Sequence, residues 1–347
     1  MNKKTLASPL AGVIALAAAG LGGIGSAAAD DMPTVKIMVG GIDKQIYLPY
    51  QLAQNLGFYK KYGVNVELST EQEGGVGAED AMISGQVDMA GAWYNHTIDF
   101  QLHGKKVIDV VQLSGAPGER EMCANGTDIK SPADWKGKSV GVTDIGSGTD
   151  DLTRYMAARY NLTTKDFNRI SVGAGQTLIA GLQHGKIVCG MTTQPTVNAI
   201  EKLGVGYSAI DLASADGVQK WLGGFWPTAS IIARADWVDA HKDATQRVVN
   251  ALVATMHWIH DHSAADIADN LPKDFVENPL TSKAEYVKAL DQDKGQFLPD
   301  GIMPDNGPKT VLDVETQAGK VSGPVDLAAT YTNDFAKAAN KLEGFSN

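Results

Sequence analysis

Two stretches, Ile83-Ser-Gly-Gln-Val-Asp-Met-Ala90 and Leu182-Gln-His-Gly-Lys-Ile-Val-Cys189, decide how the chain is read. Each ends a helical segment at a glycine and then runs straight into an apolar strand, and each sits at the same place in a longer alternation of strands and helices. Outward from the first lie a strand at Val35–Val39 ending in Gly40-Gly41 and a helical stretch from Tyr47 to Tyr62. These are followed by a strand at Val64–Leu68, a helix from Ala78 to Ser84, a strand at Val87–Gly91, a helix from His96 to His103 and a strand at Val107–Leu113. Outward from the second lie strands at Ser139–Val142, Arg169–Val172 and Ile187–Met191, with helices over 149–160, 177–184 and 195–203. Two βαβαβ runs of this kind imply two α/β lobes, each a mostly parallel sheet covered on both faces.

Beyond Phe225 the pattern offers one strand, Ala229–Arg234, and then mainly helix. One strand cannot make a third sheet, so this tail is expected to return and finish the first lobe. The chain then crosses between lobes twice, near Glu119–Asn125 and near Asp211–Phe225. The expected organisation is residues 1–29 as an export leader, 30–120 and 225–347 as the first lobe, and 121–224 as the second.

The leader reading rests on Lys3 and Lys4, an apolar run from Leu10 to Ile24, and Ala27-Ala28-Ala29 before Asp30. Export to the periplasm with cleavage near Ala29 follows. The formal charge is −10, and the leader carries only lysines, so the remainder is more acidic still. An acidic chain is a poor partner for nucleic acid or anionic membranes, which call for clustered Lys and Arg. The two cysteines, Cys123 and Cys189, either form a disulfide outside the cytoplasm or stay as two buried thiols. No metal or cofactor is expected. His257, His260 and His262 fall on different faces of a helix, and the Lys of a nucleotide-binding loop is missing after Gly148.

In doubly wound sheets ligands lie off the carboxyl ends of strands. Candidate ligand-binding residues are therefore Lys44 and Tyr47 after the first strand, Gly75 in the glycine pair 74–75, and Trp93, Tyr94 and Asn95 after the third. In the second lobe they are Ser147, Gly148 and Thr149, at a glycine-rich helix start able to hold an oxygen, and Gln194. Trp226 at the second crossing is a further wall. Strand alternation turns only one of Trp93 and Tyr94 to the cleft. Arg120 stands between Glu119 and Glu121 and pairs internally, and the chain shows no multi-arginine clamp. A ligand with a flat or apolar body and one polar head fits better than an inorganic dianion.

Several stretches carry a resemblance over nearly the whole chain beyond the leader. They are Gly40-Gly41 with Tyr47-Leu-Pro49, Leu56-Gly-Phe-Tyr-Lys-Lys-Tyr-Gly-Val-Asn-Val66, Gly74-Gly75, Gly85-Gln-Val-Asp88, and Tyr94-Asn-His-Thr97. In the second half they are Ile129-Lys-Ser-Pro-Ala-Asp-Trp-Lys-Gly137, Gly141-Val-Thr-Asp-Ile-Gly-Ser-Gly-Thr-Asp150 and Pro299-Asp-Gly-Ile-Met-Pro304. The chain resembles the nitrate/sulfonate/taurine branch of periplasmic solute-binding proteins, which also holds thiamine-pyrimidine binders. That resemblance implies a type-II periplasmic-binding-protein fold, a small organic solute between the lobes, and delivery to an ABC permease and its ATPase by a monomer that is not an enzyme. A secreted enzyme acting on a small heterocycle, or a sensor subunit, is the alternative.

Overall fold

The computed structural model describes residues 32–71 and 75–345; the leader and Gly74 lie outside the described residues. Among the described residues, ten strands form two five-stranded sheets. In chain order they are β1 Thr34–Gly40, β2 Asn65–Glu71, β3 Met89–Trp93, β4 Val107–Gln112, β5 Glu119–Ala124, β6 Ser139–Val142, β7 Asn168–Ser171, β8 Cys189–Thr193, β9 Gly206–Asp211 and β10 Ala229–Arg234. The sheets are ordered β2-β1-β3-β10-β4 and β7-β6-β8-β5-β9. In each, four strands run the same way and one is inserted antiparallel: β10 between β3 and β4, β5 between β8 and β9. This is a two-lobed mixed α/β architecture, with one sheet per lobe.

The parallel strands are apolar because helices cover both faces. Val35, Ile37 and Val39 of β1 and the whole of β3 and β8 are buried. Helix Lys242–Asp261 packs under the first sheet against Leu48–Asn55, Phe58–Lys61 and Asp334–Glu343. The single helix expected over 47–62 is two, broken at Gly57, whose φ of +74° is the left-handed conformation that ends a helix.

The crossings are displaced from their expected places. Glu119–Ala124 is not a connection but the inserted strand β5, and 206–211 is its neighbour β9. Ala215–Leu222 is a helix of the second lobe. Charge hid β5: its acids point inward, the reverse of the pattern that marks a half-buried strand. The chain crosses at 113–118 and 223–228, and the two segments bond to each other. Trp226 and Thr228 N–H donate to the Gly115 and Ser114 carbonyls at 3.0 and 3.1 Å. The result is a double-stranded hinge.

Candidate functional site

Loops at the carboxyl ends of β1, β3 and β6, and the first residue of β5, converge between the sheets. Lys44, Ile46, Tyr47, Gly75, Trp93, His96, Glu119, Thr143, Ser147, Gly148 and Thr149 enclose one small cavity there. Its free volume, ≈ 20 Å³ for the centre of a water-sized sphere, is room for about one water. The lobes are closed on each other. Trp93 from the first lobe lies against Gly148 of the second, so near that a methyl group on Gly148 would sit 2.0 Å from Trp93 Cε3. Behind it, fully buried Trp226 meets Trp93 edge-on, ring centroids 5.6 Å apart.

The second-lobe wall is the start of helix Gly148–Ala158. Ser147 caps it, and Thr143, Ser147 and Thr149 form a closed triangle of hydroxyls with separations of 2.9, 2.6 and 2.9 Å. First-turn amides have no carbonyl four residues back, so this corner is rich in donors for an oxygen. Lys44 donates to the Gly40 carbonyl at 2.9 Å; burial lowers its ammonium pKa against the pull of Glu119, Asp43 and Glu71. His96 lies 3.4 Å from Glu79, and burial pushes the imidazole down to about 4, leaving it neutral at pH 7. The Glu119 carboxyl is pushed up to about 7 by burial, with Lys44 and Arg120 opposing. Glu121, two residues deeper, is pushed up to about 8 by burial and by Glu119.

Of the residues singled out in the sequence, Lys44, Tyr47, Gly75, Trp93, Ser147, Gly148 and Thr149 line this cavity. Four do not. Tyr94 points into the first lobe, where its hydroxyl meets Thr330 Oγ1 at 2.6 Å and its ring meets Tyr331 edge-on; it follows the last residue of β3 and caps the next helix with helical dihedrals. Asn95 is buried alongside and donates to Asp151 at 3.1 Å. The Gln194 carbonyl accepts the Gln45 N–H across the lobes at 3.2 Å, while its side chain receives the Asn198 N–H. Trp226 supports Trp93 from behind. Sequence reasoning passed over Ile46, His96, Glu119 and Thr143 as lining groups; His96 and Thr143 stand beside chosen residues, but Glu119 had been placed in a connection.

Other charged groups act at a distance from the cavity. Arg120 pairs with Asp293 through two 2.8 Å bonds and with Asp211 at 3.6 Å, rather than with its neighbours. His257 bonds Asn340 and His262 its own helix carbonyl at Trp258. Cys123 and Cys189, facing residues of β5 and β8, are joined in a disulfide.

A part-buried ion bridge also spans the lobes. Lys320 Nζ lies 2.7 Å from Asp99 on the first lobe and 3.0 Å from Asp151 on the second. Removing one member of a buried charge set leaves the rest uncompensated. Lys320→Met should destabilise the closed form by about 3 kcal/mol, seen as a larger radius of gyration in solution scattering; the triple Asp99→Asn, Asp151→Asn, Lys320→Met protein should lie closer to wild type.

Stability should also depend on pH. Glu119 and Glu121 bind their protons more tightly folded than unfolded, so their contribution is full below the ordinary carboxyl range and is lost as pH rises through about 7 and about 8. His96 acts oppositely, stability rising between about 4 and its usual 6.5. Above about pH 6.5 the carboxyls of these three groups remain. Tm should fall between roughly pH 6.5 and 8.5, and Glu121→Gln should flatten the slope.

The NMT1/THI5-like family model matches residues 46–265, more than half of the chain. The chain belongs to the NMT1/THI5-like family. It is 21% identical over 244 residues to a putative binding protein, YtlA, of Bacillus subtilis strain 168, covering 69% of this chain and 71% of that one. It is 26% identical over 259 residues to the bicarbonate-binding protein CmpA of Synechococcus sp. strain ATCC 27144, covering 67% of this chain and 56% of CmpA. A solved structure from Bordetella bronchiseptica RB50 superposes with a TM-score of 0.83 at 28% identity, over 90% of this chain and 99% of the other. The alkanesulfonate-binding protein SsuA from Xanthomonas axonopodis pv. citri, bound to MOPS, shares the fold at a TM-score of 0.67 and 16% identity, over 86% of this chain and 98% of SsuA. The expected two-lobed α/β fold and family are borne out. No helix among the described residues is long and apolar enough to cross a membrane.

Proposed function

We propose that this chain is the solute-binding component of an ABC importer, an exported monomer that closes its lobes on a small organic molecule and presents it to an inner-membrane permease and ATPase. One observation carries the reading: groups from both lobes, Trp93 and Lys44 on one side and the Gly148 helix start on the other, meet around one small cavity. A ligand stabilises closure only as far as it touches both lobes, and here both offer it contacts. Family membership and the relatives' names, a bicarbonate-binding and an alkanesulfonate-binding protein among them, support the class.

The lining favours a small organic acid, sulfonate or pyrimidine-like solute, with an oxygen at the hydroxyl triangle and its flat or apolar part against Trp93. With so little free space in the closed form, entry requires the hinge to open. Binding without chemistry is part of the proposal, so a captured solute should be recovered unchanged.

The test is a thermal-shift and native mass-spectrometry screen of the protein lacking residues 1–29 against sulfonates, aromatic acids and pyrimidines. For any compound so found, Ser147→Ala with Thr149→Ala should weaken binding by roughly 10- to 30-fold, about 1 kcal/mol for each hydrogen bond lost. Undiminished affinity would remove the helix start from the site. Turnover of the compound by purified protein would replace transport with catalysis.

A further inference from the structure

The cavity wall carries donors in the first-turn amides at Gly148 and the Lys44 ammonium, beside the bonded hydroxyls of Thr143, Ser147 and Thr149, of which Ser147 donates to the Asp144 carbonyl. Glu119 breaks that pattern. Alternation along β5 sends Glu119 and Glu121 to one face and Arg120 to the other, where Asp293 and Asp211 occupy its guanidinium. Lys44 donates to the Gly40 carbonyl and attracts Glu119 through its charge. Glu119 is 4% exposed, lines the cavity, and its Oε2 makes no hydrogen bond within the protein. Nor do both oxygens of Glu121 beneath it. A buried carboxyl left unpartnered is costly, and such a cost persists in a fold where something else supplies the missing donor. Cross-strand neighbours do not: opposite Glu119 stands Thr193, and the Glu119 carbonyl is taken by the Leu212 N–H.

We propose that Glu119 is a specificity-determining acceptor, and that the cleft selects a bipolar guest carrying an oxygen for the Gly148 helix start and an N–H or cationic donor for Glu119. The proposal rests on the solute-binding reading and narrows it. A guest with an acid group alone satisfies one wall and leaves the other carboxyl buried beside its own negative charge. A guest with both groups satisfies both walls and draws the lobes together, because Glu119 begins the second lobe's inserted strand at the hinge.

Three matched pairs test this by calorimetry and thermal shift on the leaderless protein: benzoate with 4-aminobenzoate, propionate with 3-aminopropionate, and ethanesulfonate with 2-aminoethanesulfonate. In at least one pair the amino compound should bind tenfold or more tightly than its partner. Glu119→Gln should erase most of that preference while leaving the unliganded Tm equal or higher, since it removes a buried unpaired carboxyl. A purely structural Glu119 gives the opposite pair of results, a lower Tm and an unchanged preference. Amino-free members binding as well in every pair, or no response to any amino compound, would overturn the assignment. Neither outcome touches the transport reading, which fails separately if solute uptake by cells does not require this protein.

Discussion

Gly148→Ala should hold the lobes apart and weaken solute capture by roughly two orders of magnitude, about 2.8 kcal/mol at 1.4 kcal/mol per tenfold. The new methyl would lie 2.0 and 2.4 Å from two carbons of the Trp93 ring. That ring cannot swing clear, because Trp226 braces it edge-on from behind and is itself fully buried. The clash exists only when the lobes meet, so the open form and the unfolding temperature of the separate lobes should be little affected. Scattering should show an expanded particle that an excess of solute fails to contract. Trp93→Ala in the same chain should restore contraction while leaving affinity low, since it clears the clash but removes the stacking surface. If Gly148→Ala closes and binds as wild type does, the Trp93–Gly148 contact is not part of capture.

The second large effect concerns the second lobe's sheet. Cys123 and Cys189 face each other on β5 and β8 and tie residues 66 apart in sequence. A cross-link closing a loop of that length stabilises by about 4 kcal/mol in the chain-entropy account. With roughly 2.1 cal/mol/K of unfolding entropy per residue, Cys123→Ala with Cys189→Ala should lower Tm by about 6 °C, and reductant should do the same to wild type while leaving the double variant unmoved. A Tm insensitive to both would mean that the bond restrains little that the sheet does not already hold.

The fold was legible where apolar runs and glycine punctuation followed the ordinary periods. Val35–Val39, Ser139–Val142 and Ala229–Arg234 read as strands because buried parallel strands, and the antiparallel β10 between β3 and β4, carry near-continuous apolar sequence. The strand β5 was misread because Glu119, Arg120 and Glu121 resemble a solvated connection; only the tertiary structure reveals that Asp293, on a helix far along the chain, neutralises the arginine. The site was legible where it follows from strand ends and helix starts, as at Trp93 and Gly148. It was not where the end of an element decides: Tyr94 and Trp93 are adjacent and equally aromatic, and the turn from β3 into the next helix sends one to Thr330 and leaves the other at the cleft. Lys320 could not be found from sequence, since its partners Asp99 and Asp151 come from two different lobes.

The returning strand β10 also sets an order of completion. All five strands of the second sheet, β5 to β9, are made in one uninterrupted stretch, whereas β4 at the edge of the first has β10 as its sole strand neighbour. A nascent chain thus possesses every piece of its later-encoded half before its earlier-encoded half can be sealed, and a truncation ahead of Ala229 strands β4 without a mate. Excised 113–228 is accordingly the fragment to express alone, and the flanking pieces are the ones to supply together.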